Sequence, residues 1–136
     1  MNIKYILAIS ASVTLGFIST AFGEATNAAV MQGLDKVTAR VTTIEVPLGG
    51  TAYFGALKIK LYHCDKAPPE ETPESAAFIE VIEEKRGEEP VNIFNGWMFA
   101  SSPALSSIEH PVYDVWVLDC VNRDLKAPAE TKETLQ

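Results

Sequence analysis

Three polar residues in the second half of the chain are of the types that carry hydrolytic chemistry. Ser102, His110 and Asp114 supply a hydroxyl, an imidazole and a carboxylate, the groups of a nucleophile, a base and an orienting acid. Hydrolases hold the nucleophile on a strained turn such as G-x-S-x-G, whereas Ser101 and Ser102 stand in Ala-Ser-Ser-Pro, which is typical of an ordinary turn. We therefore expect no catalytic residue here and expect His110 to act structurally or in binding.

Metal binding and paired-carboxylate chemistry receive little support from the spacing of the residues. His63 and His110 are far apart, and neither has a second ligand at a spacing such as H-x-x-x-H. The glutamates between Glu80 and Glu89 are typical of a solvated charged face near a turn. The sequence therefore predicts neither a metal site nor a cofactor.

The aromatic segment around Trp97 is the other place to look for function. In a small domain aromatic side chains normally lie in the core, and we expect this of Trp97. The alternative is that Trp97 and the loop after it present a binding surface, because aromatic residues and proline-framed loops are typical of such surfaces. The residues of this candidate surface are Trp97, Phe99, Ser101, Ser102, Pro103, Leu105 and His110.

The N-terminus has the pattern of a secretory signal peptide. Lys4 is followed by an uncharged stretch from Ile6 to Ile18, which is shorter than the ~20 residues that span a bilayer. Ala21-Phe22-Gly23 is similar to an A-x-A cleavage site, so we predict cleavage after Gly23 and a periplasmic or secreted protein. Removing 23 residues leaves 113, and because Lys4 is the one charge removed, the net charge changes from −7 to −8.

The acidic balance of the chain makes several classes of partner poor candidates. With 18 Asp and Glu against 11 Lys and Arg, the chain has no basic excess to displace counterions from nucleic acid. The same balance disfavours anionic membrane surfaces. No second apolar run approaches membrane-spanning length, so we expect no integral span in the mature chain. Another protein of the cell envelope is the partner that we expect.

Cys64 and Cys120 are the two cysteines, and in an exported protein such a pair is expected to form a disulfide. The alternative, a pair of metal thiolates, would have the two histidines as its other candidate ligands. Alternation along the preceding strand puts Cys64 on the outer face, together with Lys58 and Lys60. Either the strand bulges at Tyr62-His63 or the bridge lies on the outer side of the sheet, and the sequence leaves both open.

Hydrophobic alternation with a period of two dominates the mature chain and predicts β-strands. It runs from Lys36 to Val46, with a one-residue slip at Thr42-Thr43 that indicates a bulge, and again from Thr51 to Cys64. These two runs predict a hairpin with its turn at Pro47 to Gly50. Further elements are predicted as a proline-rich acidic loop over 65–75, strands over 76–84, 91–100 and 112–120, and one helical turn at 104–108. The strand over 112–120 is apolar on both faces, which favours a central position.

About six short strands, Gly/Pro turns and no long amphipathic helix predict an all-β fold, either a small disulfide-stapled β-sandwich or a partly open barrel. The length of 136 residues fits one domain. The predicted organisation is a signal peptide over 1–23, a flexible lead-in over 24–35, a single β domain over 36–123 and a disordered tail over 124–136.

Two strings in the second half of the chain carry a family resemblance. They read FNGWMFASSPAL from Phe94 to Leu105 and EHPVYDVW from Glu109 to Trp116, and the stretch from Cys64 to Glu80 fits the same pattern. This combination resembles an uncharacterised family of small exported Gram-negative bacterial proteins, a domain of unknown function. The resemblance covers most of residues 36–121. It implies export and a single domain, and it implies no activity.

A non-enzymatic binding or assembly module of the cell envelope is the function that we expect. The alternative is a small envelope hydrolase that uses His110 with Asp114 or a nearby serine. A pocket that brings His110 together with a serine or a carboxylate would favour the hydrolase, whereas an exposed apolar patch would favour the module. A carbohydrate-binding module is a third possibility, and it would need an exposed tryptophan for stacking on sugars.

Overall fold

The computed structural model of the protein describes residues 24–123 and contains eight β-strands and one short 3₁₀ helix. The elements are β1 (Glu24–Ala25), β2 (Ala28–Asp35), β3 (Arg40–Pro47), β4 (Thr51–Phe54), β5 (Leu57–Lys66), β6 (Ser75–Glu83), β7 (Val91–Phe99), the 3₁₀ helix (Pro103–Ser106) and β8 (Tyr113–Val121). The predicted signal peptide and the predicted tail lie outside the described residues. Within the described range, no helix is long and apolar enough to cross a membrane.

The strands form two antiparallel sheets that pack face to face. The first sheet has the order β1-β5-β6-β7, with β4 also pairing with β5, and the second has the order β3-β2-β8. Neither sheet closes on itself, so the prediction of an all-β sandwich is confirmed and the barrel alternative is not adopted. The 3₁₀ helix occupies the place of the predicted helical turn.

The core lies between the sheets and is built by alternation along the strands. On β5 the side chains of Leu57, Ile59 and Leu61 are fully buried, while the lysines between them point outward, as predicted. The other buried apolar residues are Ala28, Ala29, Met31, Ile44, Val46, Val115, Val117 and Cys120 of the second sheet, Cys64, Ala77, Ile79, Val81 and Met98 of the first, and Ile108 of the loop before β8.

The prediction of a flexible lead-in over 24–35 is wrong. Residues 28–35 form β2, the central strand of the second sheet, which pairs with β3 on one side and with β8 on the other. Its inward positions are the small or flexible residues Ala29, Met31 and Gly33, so hydrophobic alternation is weak in the sequence. A larger residue than glycine does not fit at position 33, because a Cβ there would lie 2.7 Å from the Phe54 ring.

The predicted hairpin is also wrong, because its two halves belong to different sheets. β3 pairs with β2 in continuous register, without the predicted bulge at Thr42-Thr43. The run from Thr51 to Cys64 is itself a hairpin of β4 and β5. The segment from Pro47 to Gly50 therefore carries the chain from one sheet to the other. The predicted central strand, β8, pairs with β2 alone and lies at an edge.

A bulge at Tyr62 resolves the position of Cys64. The pairing of β5 with β6 shifts by one residue between Leu61 and His63, so Tyr62 is the extra residue. The shift returns Cys64 to the core face, where it is 3% exposed. The predicted disulfide with Cys120 is present and joins β5 of the first sheet to β8 of the second.

We expect reduction of this disulfide to lower the free energy of unfolding by about 2–5 kcal/mol, because the bridge restricts the unfolded chain across a separation of 56 residues. Urea unfolding with and without dithiothreitol measures the loss. The control is the double variant Cys64→Ala/Cys120→Ala, which should be unaffected by the reductant. Equal stability of the parent protein in both conditions would contradict the prediction.

Candidate functional site

His110 is buried and both of its ring nitrogens are occupied. The backbone N–H groups of Val112 and Tyr113 donate to Nδ1 at 3.1 and 3.0 Å. Nδ1 is therefore an acceptor, so the ring proton lies on Nε2 and is donated to the carboxylate of Glu83. The ring also stacks on Tyr113 with centroids 5.2 Å apart. No lone pair of this imidazole faces solvent or a candidate substrate.

These contacts make His110 a link between the two sheets. Glu83 is the last residue of β6 in the first sheet, and His110 precedes β8 of the second sheet. Their hydrogen bond therefore connects the end of β6 to the segment before β8. Lys36, in the turn after β2, donates from Nζ to the His110 carbonyl oxygen at 2.8 Å. This arrangement supports the predicted structural role of His110.

Glu83 is held between two cationic or donor groups and is 12% exposed. Lys85 lies 2.7 Å from one carboxylate oxygen, and His110 donates to the other. The hydrogen bond from Lys85 and then that from His110 lower the pKa of Glu83 below its ordinary value, against an opposing effect of burial. The carboxylate is therefore ionised in the folded protein at neutral pH.

The structure does not assemble the hydrolase alternative. Among the described residues, no hydrogen bond joins His110 to Asp114 or to Ser102. The neighbouring hydroxyl of Ser101 donates to the carboxylate of Glu74, and the Ser101 N–H donates to the same carboxylate at 3.0 Å. The Ser101 hydroxyl is the main cause of the lowered pKa of Glu74. Glu74 thus acts as an acceptor that fixes the start of the loop.

The candidate binding surface is divided by the fold. Trp97 is 40% exposed on the outer face of the first sheet, so the expectation that it belongs to the core is wrong. Phe99 follows it on the same face and is half-buried. Leu105 is 77% exposed on the 3₁₀ helix, whereas His110 lies inside. Ile108 is the buried apolar residue of the loop and packs into the core.

Trp97 belongs to a row of rings that crosses three strands. His63, Phe78 and Trp97 are direct cross-strand partners on β5, β6 and β7. The Phe78 ring lies 5.5 Å from Trp97 and 6.2 Å from Tyr62, and His63 lies 5.8 Å from Trp97, all edge to face. We call these four residues, Tyr62, His63, Phe78 and Trp97, the aromatic face.

Polar groups border the aromatic face. The Lys60 ammonium lies 4.8 Å from the centre of the Tyr62 ring, and the Tyr62 hydroxyl donates to Glu80 at 2.8 Å. Asn95 is exposed beside Trp97, opposite Glu80 in the ladder. The sequence pattern did not reveal this face, because the bulge at Tyr62 places two consecutive residues on the same side of the sheet.

A groove of about 400 Å³ is lined by the proline-rich acidic loop and by residues of β5, β6 and β8. On its wall Asp119 lies 3.0 Å from Lys66 and accepts from the Ser75 hydroxyl at 2.9 Å. Burial raises the pKa of Asp119, but the hydrogen bonds from Lys66 and Ser75 outweigh it and the net direction is downward. Asp119, Lys66 and Ser75 are therefore paired with one another in the wall of the groove. Across residues 24–123, no three His, Cys, Asp or Glu side chains come together to hold a metal ion.

Comparison with known proteins identifies relatives without an assigned activity. Residues 29–120 match a family described as uncharacterized protein conserved in bacteria (DUF2155). An uncharacterized protein of Rickettsia prowazekii (strain Madrid E) is 36% identical over 102 residues, which are 75% of this chain and 65% of that protein. The match thus spans less than two thirds of the length of that relative. No solved structure matches the chain.

The Glu83 carboxylate is expected to stabilise the fold at neutral pH and to lose that effect in acid. A lowered pKa in the folded state stabilises the protein above the ordinary value of 4.5, and the contribution is lost as the pH falls through the folded value. We expect Glu83→Gln to lower the melting temperature at pH 7, and the difference from the parent protein to shrink at pH 3.

Glu84→Gln is the matched control for this measurement. Glu84 is the next residue and is exposed, with Lys58 at 3.6 Å as its partner. Its substitution should change the melting temperature little at either pH. A difference between Glu83→Gln and the parent protein that is the same at pH 7 and pH 3 would contradict the assignment.

Proposed function

Because the chain belongs to the DUF2155 family of uncharacterized bacterial proteins, no activity follows from its relatives, and we propose from its structure a non-enzymatic binding module of the cell envelope. The aromatic face is the binding surface. The observation that carries the proposal is the row of rings across β5, β6 and β7, with Tyr62 44% and Trp97 40% exposed.

A continuous aromatic row is unusual among the exposed apolar residues of this protein. The remaining large ones are distributed over turns, the 3₁₀ helix, the first residue of β7 and other strands: Val37, Val41, Leu48, Tyr53, Val91, Leu105 and Leu118. Single exposed apolar residues need no functional explanation, whereas contiguous ones with a polar border mark interaction sites. Tyrosine and tryptophan are also enriched where proteins bind each other. The aromatic face meets each of these conditions.

The envelope assignment rests on the predicted signal peptide and the disulfide. Cleavage after Gly23 would deliver the chain to an oxidising compartment, in which the Cys64–Cys120 bridge is stable. An envelope protein is the partner that we propose. The alternative of a hydrolase loses support, because a general base needs an available nitrogen, and both nitrogens of His110 serve the fold.

Site-specific photocrosslinking in cells tests the proposal. We place benzoylphenylalanine at Tyr62 on the aromatic face and, as a control, at Leu118, which has a similar exposure of 41% on the other sheet. The expected result is one discrete protein adduct from position 62 and none from position 118. Adding Trp97→Ala to the Tyr62 variant should reduce the adduct severalfold while the melting temperature stays close to that of the parent protein.

Two results would overturn this proposal. Equal adducts from both positions would show that the aromatic face is not a specific surface. An adduct that resists protease and is removed by a glycan hydrolase would replace the protein partner with a glycan, to which an exposed tryptophan is also suited.

A further inference from the structure

The outward side of β7 carries backbone groups that have no partner in the described part of the chain. The Ala100 N–H donates to the Ser75 carbonyl at 2.8 Å, which fixes the phase of the β6–β7 ladder. Since antiparallel pairs alternate between bonded and non-bonded, Met98 and Gly96 face β6, whereas Asn95 and Trp97 direct their N–H and C=O groups away from it.

β7 is also the edge strand with the least protection against pairing. Its nine residues, VNIFNGWMF, include no charge and no proline. β8 carries Asp114 and Asp119, and β3 carries Arg40, Glu45 and Pro47. β1 and β4 are only two and four residues long. Charges, prolines and short length are three of the devices that block edge-to-edge pairing, and β7 has none of these three. A fourth device, a bulge, is confined to the N-terminal part of β7, at Ile93.

The free part of the β7 edge is short and centred on Gly96. At one end the ladder to β6 shifts between Asn92 and Phe94, so Ile93 is a bulge residue. At the other end the Phe99 carbonyl accepts the Ser102 N–H at 3.2 Å. Between these limits Asn95 and Trp97 are the residues with both backbone groups turned outward.

The fold of a single chain does not require glycine at position 96. Gly96 has no positive φ. A Cβ there would have the Phe94 ring as its nearest neighbour, at an ordinary contact distance of 3.6 Å. Glycine weakens a strand, and inside one it often marks the close approach of another backbone. Its position midway between Asn95 and Trp97 indicates where that backbone would lie.

We propose that β7 pairs antiparallel with β7 of a second copy of this chain, about a two-fold axis at Gly96. Asn95 of one copy then forms a hydrogen-bonded pair with Trp97 of the other copy, and Trp97 with Asn95, which uses all the outward groups of both residues. The uncharged edge places no like charges opposite each other at the junction, although each chain carries a net charge of −7.

The pairing joins two first sheets into one and brings their aromatic faces side by side. This inference goes beyond the proposed function and does not depend on it, because it rests on the backbone of β7. One strand pair buries less than the ~1,200 Å² at the lower end of stable interfaces. The dimer should therefore be weak, and it should form in proportion to the protein concentration.

Sedimentation velocity over a concentration series up to about 1 mM, well above the range of typical specific complexes, tests the pairing. Asn95→Pro removes an outward N–H and leaves the bonds to β6 intact, so dimerisation should weaken by about tenfold or more. Thr43→Pro is the control on the edge of β3. In the β2–β3 ladder the Leu48 N–H donates to the Asn27 carbonyl. Because hydrogen-bonded and non-hydrogen-bonded pairs alternate from that pair along the ladder, the Thr43 N–H points away from β2. This variant should dimerise like the parent protein.

Cysteine crosslinking tests the axis independently of Asn95→Pro. Gly96→Cys should give a covalent dimer upon mild oxidation, because the two positions meet at the axis. Val37→Cys, in a turn and 77% exposed, reports random collision and should crosslink much less. A parent protein that is monomeric at every concentration, or equal crosslinking at positions 37 and 96, would overturn the proposal, and so would a dimer that is lost in Thr43→Pro and kept in Asn95→Pro.

Discussion

One extra residue in β5 determines the relation between the core and the surface of this protein. If Tyr62 were paired regularly and the strand had no bulge, strict alternation would place Cys64 on the outer face. With the bulge, Tyr62 and His63 both point outward and Cys64 points inward. The disulfide that joins the sheets and the row of rings on the outer face thus have a common origin. A change in the register of this strand would remove both.

The second link between the sheets is polar. His110 receives two backbone N–H groups at Nδ1 and donates to Glu83 through Nε2, so a residue that resembles a catalytic base in the sequence connects β6 to the start of β8. Buried polar groups need such partners, because an unpaired one is costly. The network that satisfies His110 occupies both of its ring nitrogens.

The sequence predicted the fold class, the disulfide and the later strands, because these leave local signals. Leu57, Ile59 and Leu61 alternate with polar residues, and an exported cysteine pair has one common outcome. It did not predict β2, since the inward positions of β2 include the small residues Ala29 and Gly33, and Gly33 lies against the Phe54 ring of the facing sheet. Pairing between distant strands also leaves no local signal. The predicted hairpin was wrong for this reason: β3 pairs with β2 and not with the strand that follows it.

The candidate site was predictable only in part, for related reasons. Trp97 was expected in the core, with a binding surface as the alternative, because its ring partners come from β5 and β6 and its exposure depends on which face of the sheet the core occupies. The roles of Glu83 and Glu74 as acceptors for His110 and Ser101 depend on contacts between residues far apart in the sequence. No spacing rule could have indicated them.

The most direct test of this account is a count of free thiols after deletion of Tyr62, with Tyr62→Ala as the control that keeps the extra residue. Because Leu61 pairs with Ile79 and His63 pairs with the adjacent Phe78, the deletion closes the ladder and leaves Cys64 on the core face. The deletion variant, Tyr62→Ala and the parent protein should therefore all show no reactive thiol when denatured without reduction. Two reactive thiols in the deletion variant would contradict the assignment of Tyr62 as the extra residue, because a deletion in a strand without a bulge turns Cys64 to the opposite face.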